Sequence, residues 1–215
     1  MHKKQGIAEL ERTRIISIVR GIAGDDLYKL AELLLEADIP VMEVTLNSPD
    51  ALAGISELQR RFGGQMYIGA GTVLDIGDAE RAMEAGASFL VTPNTDEDVI
   101  QLAASRDIPI YPGAMTPTEI VRSWKAGAAA VKIFPSASIG LSYIKELQGP
   151  LSHIPMIAVG GVTAANIAEF LAAGCYAVGV GGYLADKQAL AAGDTAAILQ
   201  KAKELRAQAD RWKQL

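Results

Sequence analysis

Eight short apolar runs punctuate the chain, and the stretches between them carry apolar residues at every third or fourth position. The runs cover 15–20, 41–46, 67–73, 89–93, 108–113, 130–135, 156–161 and 177–182. They are near-continuous in apolar character rather than alternating, the pattern of parallel strands covered on both faces. The intervening stretches have the helical period. The 26–37 segment places Leu27, Leu30, Leu33 and Leu34 on one face, and 50–62 does the same with Leu52, Ile55, Leu58 and Phe62. Ser48 before Pro49 predicts an N-cap with proline at the first helical position. Further helices are predicted over 77–84, 96–105, 117–125 (capped by Thr116), 141–147, 164–172 and 195–212.

The pattern also repeats. Ala85-Gly86-Ala87, Ala126-Gly127-Ala128 and Ala173-Gly174-Cys175 each close a helix ahead of a strand, with the glycine suited to a left-handed C-cap. Ile-Pro precedes three of the runs, at Ile39-Pro40, Ile108-Pro109 and Ile154-Pro155. Eight strand–helix units without a linker predict a single (β/α)₈ TIM barrel over residues 1–215. Segments 1–14 and 195–215 read as an N-terminal helix or extension and a C-terminal helix on that domain. An open doubly wound sheet is the competing α/β architecture. It expects fewer strands and, for dinucleotides, a Gly-x-Gly-x-x-Gly turn after the first strand, where this chain has Arg20-Gly21-Ile22-Ala23-Gly24.

Composition narrows the function classes. The 215 residues are 50% hydrophobic and 21% charged with a net charge of −5, so no basic surface for nucleic acid is expected. No apolar run reaches a membrane span. No apolar stretch follows Lys3-Lys4, so no secretory signal is expected either. Cys175 is the one cysteine, which rules out an internal disulfide and fits a cytoplasmic protein. His2 falls in a segment read as frayed, and His153 precedes a strand on the far side of the barrel; neither has a partner at ligand spacing, and no metal site is expected. Cys175 and the two tryptophans, Trp124 and Trp212, read as packing residues.

Two charges interrupt the apolar runs. Lys132 stands within Ala129-Ala130-Val131-Lys132-Ile133-Phe134-Pro135-Ser136, and Glu43 within Val41-Met42-Glu43-Val44-Thr45-Leu46. A lysine in a dry strand is costly unless paired or neutral, and a neutral amine attacks ketones to form a Schiff base. Strand period two puts Glu43 with Thr45 on one face and Lys132 with Phe134 on one face. If both faces point inward, a carboxylate lies beside the amine, as the proton transfers of imine chemistry require. The same residues would also make a structural ion pair.

The other run ends bear on binding. Arg20 could clamp a carboxylate or a phosphate. Gly69-Ala70-Gly71-Thr72 lets backbone N–H groups approach an anion. Pro93 in Thr92-Pro93-Asn94 gives a rigid apolar wall. Gly160-Gly161 and Gly181-Gly182 close the seventh and eighth runs, where such barrels build phosphate sites.

In this order the motifs resemble the 2-keto-3-deoxy-6-phosphogluconate / 4-hydroxy-2-oxoglutarate aldolase family over about residues 15–184. The resemblance implies a class I aldolase, without metal or cofactor, acting on a phosphorylated 2-keto-3-deoxy sugar acid and releasing pyruvate, as a homotrimer. It implies Lys132 as the Schiff-base residue and Glu43 as general acid/base. It implies a pyruvyl pocket of Arg20, Gly71, Thr72, Pro93 and Phe134, and a phosphate site of Ser136, Gly160, Gly161, Gly181 and Gly182. Thr45, Asn47 and Asn94 are the implied specificity positions. Asn47 replaces the arginine of the phosphogluconate enzymes, and Leu46-Asn47-Ser48-Pro49 is similar to the phosphogalactonate branch. Gly182 stands where many members carry serine, leaving only its N–H for phosphate. Other classes open to such a barrel are a phosphosugar isomerase or epimerase, a thiamine-phosphate-type synthase, and a non-catalytic sugar-phosphate binder.

Overall fold

The computed structural model describes residues 1–214; Leu215, the end of the expected C-terminal helix, lies outside them. Helix α1 (Lys3–Thr13) precedes β1 (Ile15–Val19), α2 (Gly24–Glu36), β2 (Val41–Thr45), α3 (Ala51–Phe62), β3 (Tyr67–Gly71), α4 (Ile76–Glu84), β4 (Leu90–Val91) and α5 (Glu97–Ser105). Then come β5 (Ile110–Tyr111), β6 (Gly113–Ala114), α6 (Pro117–Ala126), β7 (Val131–Ile133), α7 (Ser136–Ile139) and α8 (Leu141–Leu151). The chain finishes with β8 (Met156–Val159), α9 (Ile167–Ala172), β9 (Ala177–Val180), α10 (Lys187–Ala191), α11 (Thr195–Asp210) and a 3₁₀ turn.

All neighbouring strands are parallel, in the order β5-β4-β3-β2-β1-β9-β8-β7-β6. The strands at the two ends of that order, β5 and β6, flank Pro112 in the chain, so the sheet is a nearly closed barrel. One expected strand has become two. Proline has no N–H to continue a ladder, and Gly113 N–H turns to the Thr92 hydroxyl instead, at 3.3 Å. Pro112 still accepts from Lys132 N–H at 2.8 Å, which ties this segment to β7. The three Ile-Pro sites begin ladders: the carbonyls of Pro40, Pro109 and Pro155 accept from Tyr67, Leu90 and Val131.

Strand alternation separates two cores. Outward residues such as Val44, Ile68 and Ile133 pack under the helices with Leu30, Leu34, Ile55 and Leu58. Inward residues Val41, Tyr67, Phe89, Tyr111, Ile157 and Val159 fill the barrel with Leu10 of α1. Fully burying each large apolar side chain contributes about 1.5–3 kcal/mol. The N-terminal segment is not frayed: α1 starts at Lys3 and lies against the barrel end. A Cβ on Gly6 would sit 2.1 Å from the Tyr67 ring, so glycine sets this close approach. The inward core therefore blocks the N-terminal end and leaves the C-terminal strand ends as the open mouth.

Two helix starts differ from expectation. Ser48 does not cap α3; Asp50 holds the N-cap position, and Ser48 has another role described below. Helix α9 starts at Ile167 because Thr163–Asn166 forms a side-chain-held turn, with the Asn166 amide oxygen accepting from Thr163 N–H at 2.8 Å. Thr116 does cap α6, in a reciprocal box with Glu119. Gly86, Gly127 and Gly174 all have positive φ, at 94°, 110° and 97°.

Candidate active site

Glu43 on β2 and Lys132 on β7 both face the barrel interior near its mouth, 2% and 6% exposed. Glu43 stands level with Ile18 and Gly69, and Lys132 with Gly113 and Ile157. Two glycines make room. A Cβ on Gly71 would lie 1.7 Å from Glu43 Oε1, so the carboxylate occupies the space a side chain there would fill. A Cβ on Gly113 would meet the Pro93 carbonyl at 2.3 Å. Among the described residues neither Glu43 nor Lys132 forms an ion pair or a side-chain hydrogen bond. The Lys132 ammonium position lies 5.0 Å from the Phe134 ring centroid.

Burial dominates both ionisations. Desolvation pushes the Lys132 amine below the usual lysine range; Glu43 opposes this and Arg20 reinforces it. Desolvation pushes Glu43 above the usual carboxyl range, against the pull of Lys132 and Arg20. The site thus draws both groups toward their neutral forms, opposite to the tendency of a tight structural ion pair.

Thr72 follows β3 with φ 57°, a left-handed backbone unusual for a β-branched residue. Such a conformation costs about 1–3 kcal/mol and points to a constraint imposed at the strand end. Pro93 is half-buried and Phe134 is exposed at 38%. Asn47 and Asn94 are exposed. Thr45 is fully buried with its hydroxyl already engaged: it donates to Val19 O at 3.3 Å and lies 3.0 Å from Ser48 Oγ. Ser48 Oγ in turn accepts from Gly21 N–H at 2.8 Å. With Ser48, Thr45 pins the loop after β1 to the loop after β2.

Gly160, Gly161, Gly181 and Gly182 line one cavity of about 750 Å³, together with Arg20, Phe134 and Lys187. Gly160 and Gly161 have φ 100° and 73°, which require glycine. Asn166 holds this turn by donating to Gly161 O at 2.9 Å. Arg20 shares this cavity because β1 is hydrogen-bonded to β9. Ser136 departs from expectation. It is fully buried, its hydroxyl donates to Ile133 O at 2.6 Å and accepts from Val159 N–H at 3.0 Å, so that hydroxyl braces β7 against β8 and does not face the cavity. Among the described residues no group of three His, Cys, Asp or Glu side chains is placed to hold a metal ion. No described helix is long and apolar enough to cross a membrane.

The family described as KDPG and KHG aldolase matches residues 7–201. The chain belongs to this aldolase family. It is similar to 2-dehydro-3-deoxy-6-phosphogalactonate aldolase of Escherichia coli K12, at 38% identity over 78% of this chain and 82% of the relative. A solved structure described as native KDPGal matches with a TM-score of 0.87 and 34% identity, covering 94% and 96% of the two chains. The KDPG aldolase of Legionella pneumophila, solved with pyruvate captured as a covalent carbinolamine, matches with a TM-score of 0.85 and 27% identity over 92% and 96%.

Family membership makes the chain an aldolase, a lyase. Several contributors to the aldolase site carried no legible sequence signal. Ser48 looked like a helix cap, Asn166 like a helix residue, and Ser136 like a ligand, because hydroxyls and amides serve all of these roles. Gly21 does carry a signal, because its lack of a side chain leaves space over the loop after β1.

Proposed function

We propose that this chain is a class I aldolase that reversibly cleaves 2-dehydro-3-deoxy-6-phosphogluconate to pyruvate and glyceraldehyde 3-phosphate, and 4-hydroxy-2-oxoglutarate to pyruvate and glyoxylate. The observation that carries the reading is Lys132: a buried amine on the inner face of β7, unpaired among the described residues and pushed toward its neutral form, in a family with a solved pyruvate carbinolamine. The neutral amine attacks the C2 ketone. Glu43, protonated more readily than an ordinary carboxyl, gives a proton to the departing carbinolamine hydroxyl, and water leaves as the imine forms. The protonated imine draws the C3–C4 bonding electrons while the C4 hydroxyl loses its proton. The aldehyde leaves, and the remaining enamine is protonated at C3 and hydrolysed to pyruvate.

Gly71 and Thr72 hold the substrate carboxylate in this reading, with Pro93 and Phe134 as apolar walls. The glycine turns after β8 and β9 hold the phosphate through backbone N–H groups. Arg20 serves an anionic end of the substrate, and the phosphate end is the one whose cavity it lines. Fixing both ends sets the scissile bond over Lys132. A cytoplasmic location goes with this reading, supported by the single, buried cysteine. A homotrimer also goes with it, supported by Leu74, Ile76 and Met115, which are 53%, 45% and 45% exposed beside the mouth.

The test is borohydride reduction in the presence of pyruvate followed by intact mass. The expected result is one pyruvyl adduct on the wild type and none on Lys132→Ala. No adduct on the wild type, or an adduct on both, overturns the reading. The C4 epimer, 2-dehydro-3-deoxy-6-phosphogalactonate, is a second reading favoured by Asn47 and by the likeness to the E. coli relative. Relative kcat/KM on the two epimers decides between them.

A further inference from the structure

We propose that Lys187 is a specificity residue of this aldolase, the side-chain cation that closes the phosphate subsite from above the loop after β1. The inference rests on the aldolase reading and extends it to a residue outside the strand-end motifs. Lys187 opens α10, immediately after the loop of β9, and lines the same cavity as the two glycine turns and Arg20. Its amine lies over Gly21: a Cβ there would stand 2.3 Å from Lys187 Nζ. Gly21 has φ 66°, and its N–H is fixed by Ser48 Oγ at 2.8 Å, so the loop beneath the amine is both bare and anchored.

The neighbouring acid does not neutralise this cation. Asp186 is committed to Lys201 at 2.8 Å and accepts from the Gln188 and Ala189 N–H groups at 3.1 Å each. Among the described residues Lys187 forms no ion pair and no side-chain hydrogen bond. The cavity therefore presents two cationic side chains, Arg20 and Lys187, beside backbone turns that offer only N–H groups. Gly182 has no side chain, so the turn after β9 offers an anion backbone N–H groups alone. A dianionic phosphate seated on the glycines needs that charge, and a flexible ammonium supplies it as a point charge.

The experiment measures kcat/KM for a 6-phosphorylated 2-keto-3-deoxy acid and for its unphosphorylated counterpart, in the wild type, Lys187→Met and Lys187→Arg, with pyruvate trapping on each. A charge-assisted hydrogen bond contributes about 1.5–3 kcal/mol, so the wild-type preference for the phosphorylated acid should fall roughly 10- to 150-fold in Lys187→Met. The fall should appear as raised KM, be largely restored in Lys187→Arg, and be matched by weaker competitive inhibition by inorganic phosphate. An unchanged preference in Lys187→Met overturns the assignment of Lys187 and leaves the aldolase reading standing. A wild type that traps pyruvate yet shows no preference for phosphate overturns the phosphate subsite and Lys187 together. Absence of trapping in the wild type overturns the aldolase reading itself.

Discussion

Glu43 and Lys132 are two ionisable groups that the barrel buries almost completely, and their substitutions separate chemistry from stability. Glu43→Gln preserves shape but removes the proton carrier. Cleavage by this variant should fall by about 10²- to 10⁴-fold, with the circular dichroism spectrum kept; full turnover would remove the role given to Glu43. Gly71→Ala drives a methyl into the Glu43 carboxylate, so activity and melting temperature should both drop. The lysine also leaves a mark on stability. Below its depressed folded-state pKa, both folded and unfolded chains carry the proton and the full cost of burying the charge is present. Between that value and the ordinary 10.5, the unfolded chain holds more protons, so stability rises with pH. Lys132→Met lacks this rise. Melting temperatures of the pair, taken from neutral to alkaline pH, should shift in favour of the wild type; a constant difference would contradict the buried, depressed amine.

At the scale of elements, the loops after β1 and β2 act as one piece. Ser48 and Thr45 join them through buried hydroxyls, while Asn47 between them stays exposed. Ser48→Ala should cost about 1 kcal/mol in urea unfolding, the net worth of such a bond. It should also raise KM for a phosphorylated substrate, because Arg20 and Gly21 lose their anchor. An unaltered KM would uncouple the loop from binding. The capping of α3 illustrates what a linear pattern cannot separate. Ser-Pro before an amphipathic stretch is a sound cap signal, yet the hydroxyl found a stronger tertiary partner. Thr116, with the same chemistry and no competing partner, does cap its helix.

For the whole molecule, the barrel directs the inward face of every strand toward one mouth and closes the other end with α1. The exposed apolar residues Leu74, Ile76 and Met115 follow β3 and β6, at the mouth end of the barrel. If they join copies of the chain in the homotrimer proposed above, Leu74→Asp combined with Met115→Asp should lower the mass measured by light scattering to that of a monomer. Unchanged mass would place the interface elsewhere.

The apolar runs, their parallel character, the longer helices between them and the two embedded charges are legible in the linear order, whereas the short helices α7 and α10 and the break of the fifth run into β5 and β6 are not. Each is a local property: continuous burial reads as a run, and a charge within a run reads as an exception that needs a reason. Motif order also carried the family. Whether a polar group meets the cavity or the scaffold depended instead on residues far apart in the chain. Ser136 turned to β8, Thr45 and Ser48 to the loop after β1, and Lys187 to the space above Gly21. A hydroxyl or ammonium satisfies whichever partner the closed barrel brings within reach, and only the tertiary structure decides which that is.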